Sequence, residues 1–133
     1  STPLDLFGFS MGGVIGRTWL QEHGGHHRTR RFVCLGSPQR GTLTAQLAPR
    51  PLLAGIADMK LGSRLLRDLD RQAGLLDGVI CHSFFTPTDL MVFPGWWAVL
   101  PVGQRQALPV FTHRQLILHP RAINALVALL AAD

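Results

Sequence analysis

The stretch Leu4-Asp5-Leu6-Phe7-Gly8-Phe9-Ser10-Met11-Gly12-Gly13 constrains the chain most. An apolar run leads into Gly-x-Ser-x-Gly, and a helix-like pattern follows at once. That order of strand, sharp turn and helix is what a nucleophile elbow requires. Ser10 is expected at the tip, in a strained conformation that pushes its hydroxyl clear of the sheet. A side chain at Gly8 or Gly12 is expected to clash there. Gly13 and Gly16 are expected to let the first helical turn lie close to the sheet. The free N–H groups of the helix N-terminus would face Ser10, which suits a developing oxyanion.

The rest of the chain reads as the repeat of a parallel sheet. Residues 4–9 read as a strand buried on both faces, because apolar residues run almost without alternation. Residues 11–23 read as a helix with Val14, Ile15, Thr18 and Trp19 on its apolar face, ended by Gly24-Gly25. A second buried strand follows over 31–36. Segment 43–77 is a candidate lid or crossover, with Ser63 as N-cap of a helix running to Leu76. Strands are expected at 78–85 and 105–112. Pro120 opens a closing helix with Ile123, Leu126, Val127 and Leu130 on its apolar face.

Composition narrows the classes. The 133 residues are 47% hydrophobic, a globular composition for one domain or part of one. The net charge of +5 is arginine-driven, with Lys60 the single lysine. The basic cluster of His23, His26, His27, Arg28, Arg30 and Arg31 reads first as a solvated helix end and loop. A contact with anionic lipid is the sharper alternative. Nothing supports nucleic-acid binding, since no aromatic interleaving or known motif accompanies the charge. The histidines sit on a loose Gly-Gly segment without a cysteine, so no metal is expected. Cys34 and Cys81 lie in apolar strands and read as buried thiols, with a disulfide between them the alternative if their Cα atoms come within roughly 7 Å.

Ser10, Asp89 and His113 each follow the C-terminal end of an expected strand, the edge where open α/β sheets build their sites. A serine needs a base to become nucleophilic, and the base needs a carboxylate to hold its tautomer. His119 reads better as an N-cap, His82 as a structural histidine within a strand, Asp5 as too far back, and Asp77 as lying on the opposite edge.

Four stretches carry a resemblance: Gly8-Phe9-Ser10-Met11-Gly12-Gly13, Leu35-Gly36-Ser37-Pro38-Gln39-Arg40-Gly41-Thr42, Asp89, and His113-Arg114-Gln115-Leu116-Ile117-Leu118-His119-Pro120. Together they resemble the bacterial lipase/esterase branch of the α/β-hydrolase superfamily. The resemblance implies the C-terminal part of an α/β-hydrolase fold, a parallel sheet flanked by helices. It also implies hydrolysis of carboxylic esters, with Ser10, Asp89 and His113 as nucleophile, acid and base and the Met11 N–H as one oxyanion donor. No cofactor is implied. Acyl transfer on the same triad and a non-catalytic binding module are the alternatives. Trp96 and Trp97 are candidates for an acyl pocket or a lipid-interface contact with an ester or lipid substrate. Phe9 and Gln39 stand where the family has histidine, and Ser37 where it has threonine. The chain starts almost directly at the elbow strand. We therefore expect a partial domain over 1–133 whose N-terminal strands, including the second oxyanion donor, are missing.

Overall fold

A computed structural model describes residues 2–46 and 62–132. Four strands form one sheet in the order β1-β2-β3-β4, every pair parallel. They are β1 (Leu4–Phe9), β2 (Thr29–Leu35), β3 (Ile80–Phe85) and β4 (Gln104–Ala107). The helices are α1 (Met11–Glu22), α2 (Leu43–Gln46), α3 (Arg64–Arg71), α4 (Gln115–Leu118) and α5 (Pro120–Ala131). Short 3-10 turns lie at Gly25–His27, Ala73–Leu76 and Gly95–Trp97.

Helices cover both faces, and β2 shows why. Phe32 and Cys34 point into one core with Leu20 of α1, Leu76, Val79, Cys81 and Leu100. Val33 and Leu35 point into the other with Phe84, Leu108, Val110, Leu116 and Ala122. A strand buried on both sides needs an unbroken apolar run, which Phe32-Val33-Cys34-Leu35 supplies.

β1 differs from its expected burial. It forms one edge of the described sheet, with β4 at the other, and Leu4 and Phe7 are 40% and 41% exposed. Its apolar run matches an interior strand, but it pairs along one side only, with β2.

The buried face of α1 is Gly13, Val14, Arg17, Leu20 and Gln21, whereas Ile15 is 62% exposed. The apolar pattern misplaced this face because a charge and an amide occupy it, each satisfied by specific partners. Gly24, in the left-handed region at φ 75°, follows the helix end.

The long helix expected over 63–76 stops at Arg71 and tightens into the 3-10 turn Ala73–Leu76. Its N-cap is as expected: Ser63 Oγ accepts from the Leu66 amide at 3.2 Å. Residues 47–61 of the candidate lid lie outside the described residues.

The last strand is shorter than 105–112. Pro109 has no amide to donate, so the chain leaves the ladder after Ala107, the Leu108 amide reaching Phe85 O at 2.8 Å. In α5 the sheet-facing residues are Ala122, Ala125, Leu126 and Leu129, while Ile123, Val127 and Leu130 are exposed. The packed stripe is therefore rotated from the one that the apolar spacing predicts. His119 caps this helix, Nδ1 accepting from the Arg121 amide at 3.1 Å, and Pro120 opens it.

Candidate active site

β1 ends in a turn of one residue. Ser10 has φ 53° and ψ −128° and is the one non-glycine residue with positive φ among those described. Such strain persists only where the surroundings over-determine it. The Ser10 amide donates to Leu35 O at 2.9 Å, and Ser10 O accepts from the Gly13 amide at 3.1 Å. A Cβ on Gly8 would collide with Gly13 Cα and lie 2.6 Å from Gly13 N. A Cβ on Gly12 would meet nothing within 4 Å, so the expected crowding at Gly12 is corrected: that residue faces outward from the helix. Gly13 is the tight position instead, its missing side chain replaced by that of Ser37. Gly16 lies against Leu6 and Phe32, as its role in close packing requires.

Asp89 sits in the turn after β3 and is fully buried. Its Oδ1 accepts from the Met91 and Val92 amides at 2.8 and 2.9 Å, and its Oδ2 lies 2.7 Å from His113 Nδ1. The carboxylate is acceptor-only, so Nδ1 carries the proton and Nε2 is left as an acceptor. Two threonines tie the acid turn to the segment before His113. Thr86 Oγ1 donates to Val110 O at 2.6 Å and Thr88 Oγ1 to Phe111 O at 2.7 Å.

His113 is held from several directions. Phe9, next to Ser10, packs against the imidazole with ring centroids 4.8 Å apart. Gly36, at φ 58°, presents its bare side to the same ring. Thr112 and Gln115 form a reciprocal cap: Gln115 Oε1 accepts from the Thr112 amide at 3.1 Å, and Thr112 Oγ1 from the Gln115 amide at 3.3 Å. The sequence reading missed this device, although Thr-x-x-Gln is its signature.

Ser10, Gly36, Asp89 and His113 all follow strand C-termini at one sheet edge. Among the described residues, the Ser10 hydroxyl makes no hydrogen bond to His113; the two are linked through Phe9 and the Leu35–Gly36 backbone. Met11 opens α1, so its amide has no acceptor within the helix. Beside His113 a cavity of about 330 Å³ is lined by Thr88, Leu90, Met91, Phe111, Thr112 and Arg114. Trp96 and Trp97 do not line it. Trp96 is half exposed, and the Arg40 guanidinium lies 6.0 Å from the Trp97 ring centre. The loop that carries them continues into the core through Ala98, Val99 and Leu100.

Solved structures with a similar backbone include a bacterial lipase in two forms. Over 98% of its length the chain superposes on Bacillus licheniformis lipase BlEst2 in its mature form, with a TM-score of 0.73 and 15% identity. Over 99% it superposes on the propeptide form of the same lipase, with a TM-score of 0.80 and 16% identity. Over the part that the two share, the chain has the fold of this lipase. It spans 65% of the mature lipase chain and 36% of the propeptide form. No protein-family model matches the sequence, and no curated protein matches it.

The other titratable candidates lie apart from this edge. His119 is the α5 cap, and Asp77 follows the 3-10 turn before β3. His82 is within β3, where burial lowers its pKa, offset in part by the hydrogen bond it donates to Gln104. Asp5 pairs with Arg30 at 3.1 Å, and that bond holds its carboxyl below the ordinary value. Cys34 and Cys81 are free thiols, and burial raises the pKa of both. Among the described residues no three His, Cys, Asp or Glu side chains are grouped to hold a metal ion. None of the described helices is long and apolar enough to cross a membrane.

Proposed function

We propose that this chain carries the catalytic residues of a serine-dependent carboxylic ester hydrolase. Ser10 Oγ attacks the ester carbonyl while His113 Nε2 takes its proton. Asp89 holds the imidazole in the tautomer that leaves Nε2 free and stabilises the imidazolium that forms. The Met11 N–H, at the start of α1, donates to the oxyanion. Collapse of the tetrahedral intermediate expels the alcohol, which takes the proton back from His113. Water, deprotonated by the same imidazole, then releases the acid and frees Ser10.

The observation that carries this reading is the buried Asp89–His113 pair at 2.7 Å, packed through Phe9 against the strained Ser10 turn. The lipase fold of the chain supports it. The apolar cavity beside His113 suits the hydrocarbon part of an ester or lipid, with Trp96 and Trp97 on a neighbouring loop available to a lipid surface. We assign the open edge of β1 to further strands of the same domain.

The test is ester hydrolysis by the complete protein. Ser10→Ala and His113→Ala should each abolish turnover of a chromogenic short-chain ester. His119→Ala and Asp77→Ala should leave it nearly unchanged. Activity surviving Ser10→Ala would remove the reading.

A further inference from the structure

Arg17 is fully buried on α1, one turn beyond Gly13. Each nitrogen of its guanidinium has an acceptor. Nε donates to Gln21 Oε1 at 2.6 Å, one terminal nitrogen to Gln39 Oε1 at 3.4 Å, and the other to Asp70 Oδ1 at 2.8 Å. Gln21 Nε2 in turn donates to Leu69 O at 2.6 Å. Joining α1 to α3 does not by itself call for a charge: Arg17 is buried while the Asp70 side chain is half exposed, so desolvating the guanidinium offsets much of the pair's attraction. What a guanidinium adds is direction: a rigid fork of donors fixes where its partners sit.

The partner that matters is Gln39. It too is fully buried, with Oε1 on Arg17 and Nε2 donating to Cys34 Sγ at 3.4 Å. Its amide donates to Ser37 O at 2.7 Å. Ser37 Oγ donates to Gly8 O at 3.4 Å, and the Ser37 side chain fills the space that a Gly13 side chain would need. Gly8 and Gly13 bracket Ser10. The contacts that start at Arg17 therefore end on both sides of the strained turn.

We propose that Arg17 is a positioning residue for the Ser10 elbow, acting through Gln39 and Ser37. It does not touch the reacting atoms. It holds the loop after β2 against the turn, so that the serine hydroxyl keeps the orientation its chemistry needs. The proposal rests on the serine-hydrolase reading above.

The experiment measures, in the complete protein, the rate at which a fluorophosphonate phosphonylates Ser10, with kcat and KM for a short-chain ester. Arg17→Met and Gln39→Leu should each slow phosphonylation by ~10-fold or more, well below their melting temperatures, because small misplacements of a reacting group are costly. kcat should fall with KM unchanged. The double variant should be no slower than the slower single one, since both act along one path. Arg71→Ala, on the exposed side of α3, should behave as wild type. A wild-type labelling rate in a variant with only a lowered melting temperature would overturn the proposal. So would single effects that multiply in the double variant. If Arg17→Met does not fold, Gln39→Leu alone decides by the same rate. An unlabelled wild-type protein would be a different result: it removes the serine-hydrolase reading itself, and this proposal with it.

Discussion

His113 Nδ1 lies 2.7 Å from Asp89 Oδ2, while the other oxygen of that carboxylate accepts two backbone amides. The amides fix the carboxylate, and the carboxylate fixes the imidazole. Asp89→Asn should keep the size and most of the turn, yet its amide group can present a donor to Nδ1 and favour the wrong tautomer. Ester turnover should fall by about 10⁴-fold. Circular dichroism and the melting temperature should change little. A variant within tenfold of wild type would show that Asp89 does not orient the base.

The two glycines around Ser10 should respond in opposite ways. Gly8→Ala drives a Cβ into the Gly13 backbone, where no flexible side chain can yield, and should cost about 1–3 kcal/mol or more. Gly12→Ala meets open space within a helix and should be neutral or stabilising by up to about 1 kcal/mol. Chemical denaturation of both variants checks this. Equal losses would mean that the turn is not packed as described.

These glycines also show how far the sequence can be read. Gly-x-Ser-x-Gly places the elbow, because the motif is a local steric demand. It does not say which glycine is crowded, because that depends on Ser37 arriving from the loop after β2. Asp89 and His113 were legible as residues just past strand ends, a matter of chain order. The faces of α1 and α5 were not. Arg17 and Gln21 are buried by partners far away in sequence, and in α5 the small Ala122 and Ala125 pack on the core while the larger Ile123 and Val127 are exposed. An apolar count sees neither. β1 reads as an interior strand because its composition records burial on two faces, whereas its exposure follows from pairing along one edge.

Removing the cap before His113 should loosen its imidazole. Gln115→Ala leaves the Phe111 and Thr112 amides without their acceptor. A loss of about 0.5–2 kcal/mol in stability is expected. Ester turnover should also fall, because His113 lies inside the capped turn. Unchanged stability in denaturant melts would contradict the cap.

Both thiols should be silent in the folded state. Burial pushes Cys81 up to about 11 and raises Cys34 as well. A thiol pKa raised in the folded state makes the neutral form the favoured one, so this stabilisation is complete below the unfolded thiol's pKa of about 8.5. It is lost as pH rises above that value. Iodoacetamide at pH 8 should label neither cysteine until denaturant is added. Rapid labelling of the native protein would show that the core containing Phe32 and Leu100 is open.

The exposed edge of β1 should be felt when the 133-residue chain is purified alone. Leu4, Phe7 and Ile15 then face water beside unpaired strand groups, an arrangement that invites association. Light scattering should show species larger than a monomer and a broad melt. A monodisperse, cooperatively melting monomer would mean that the edge needs no further strand.

The central claim is that Ser10 is an activated nucleophile. The direct measurement is fluorophosphonate labelling of the complete protein, followed by mass mapping of the modified peptide. We predict one adduct, on Ser10, abolished by Ser10→Ala and strongly slowed by His113→Ala. An unlabelled protein, or an adduct on another residue that forms equally fast without His113, would contradict the account.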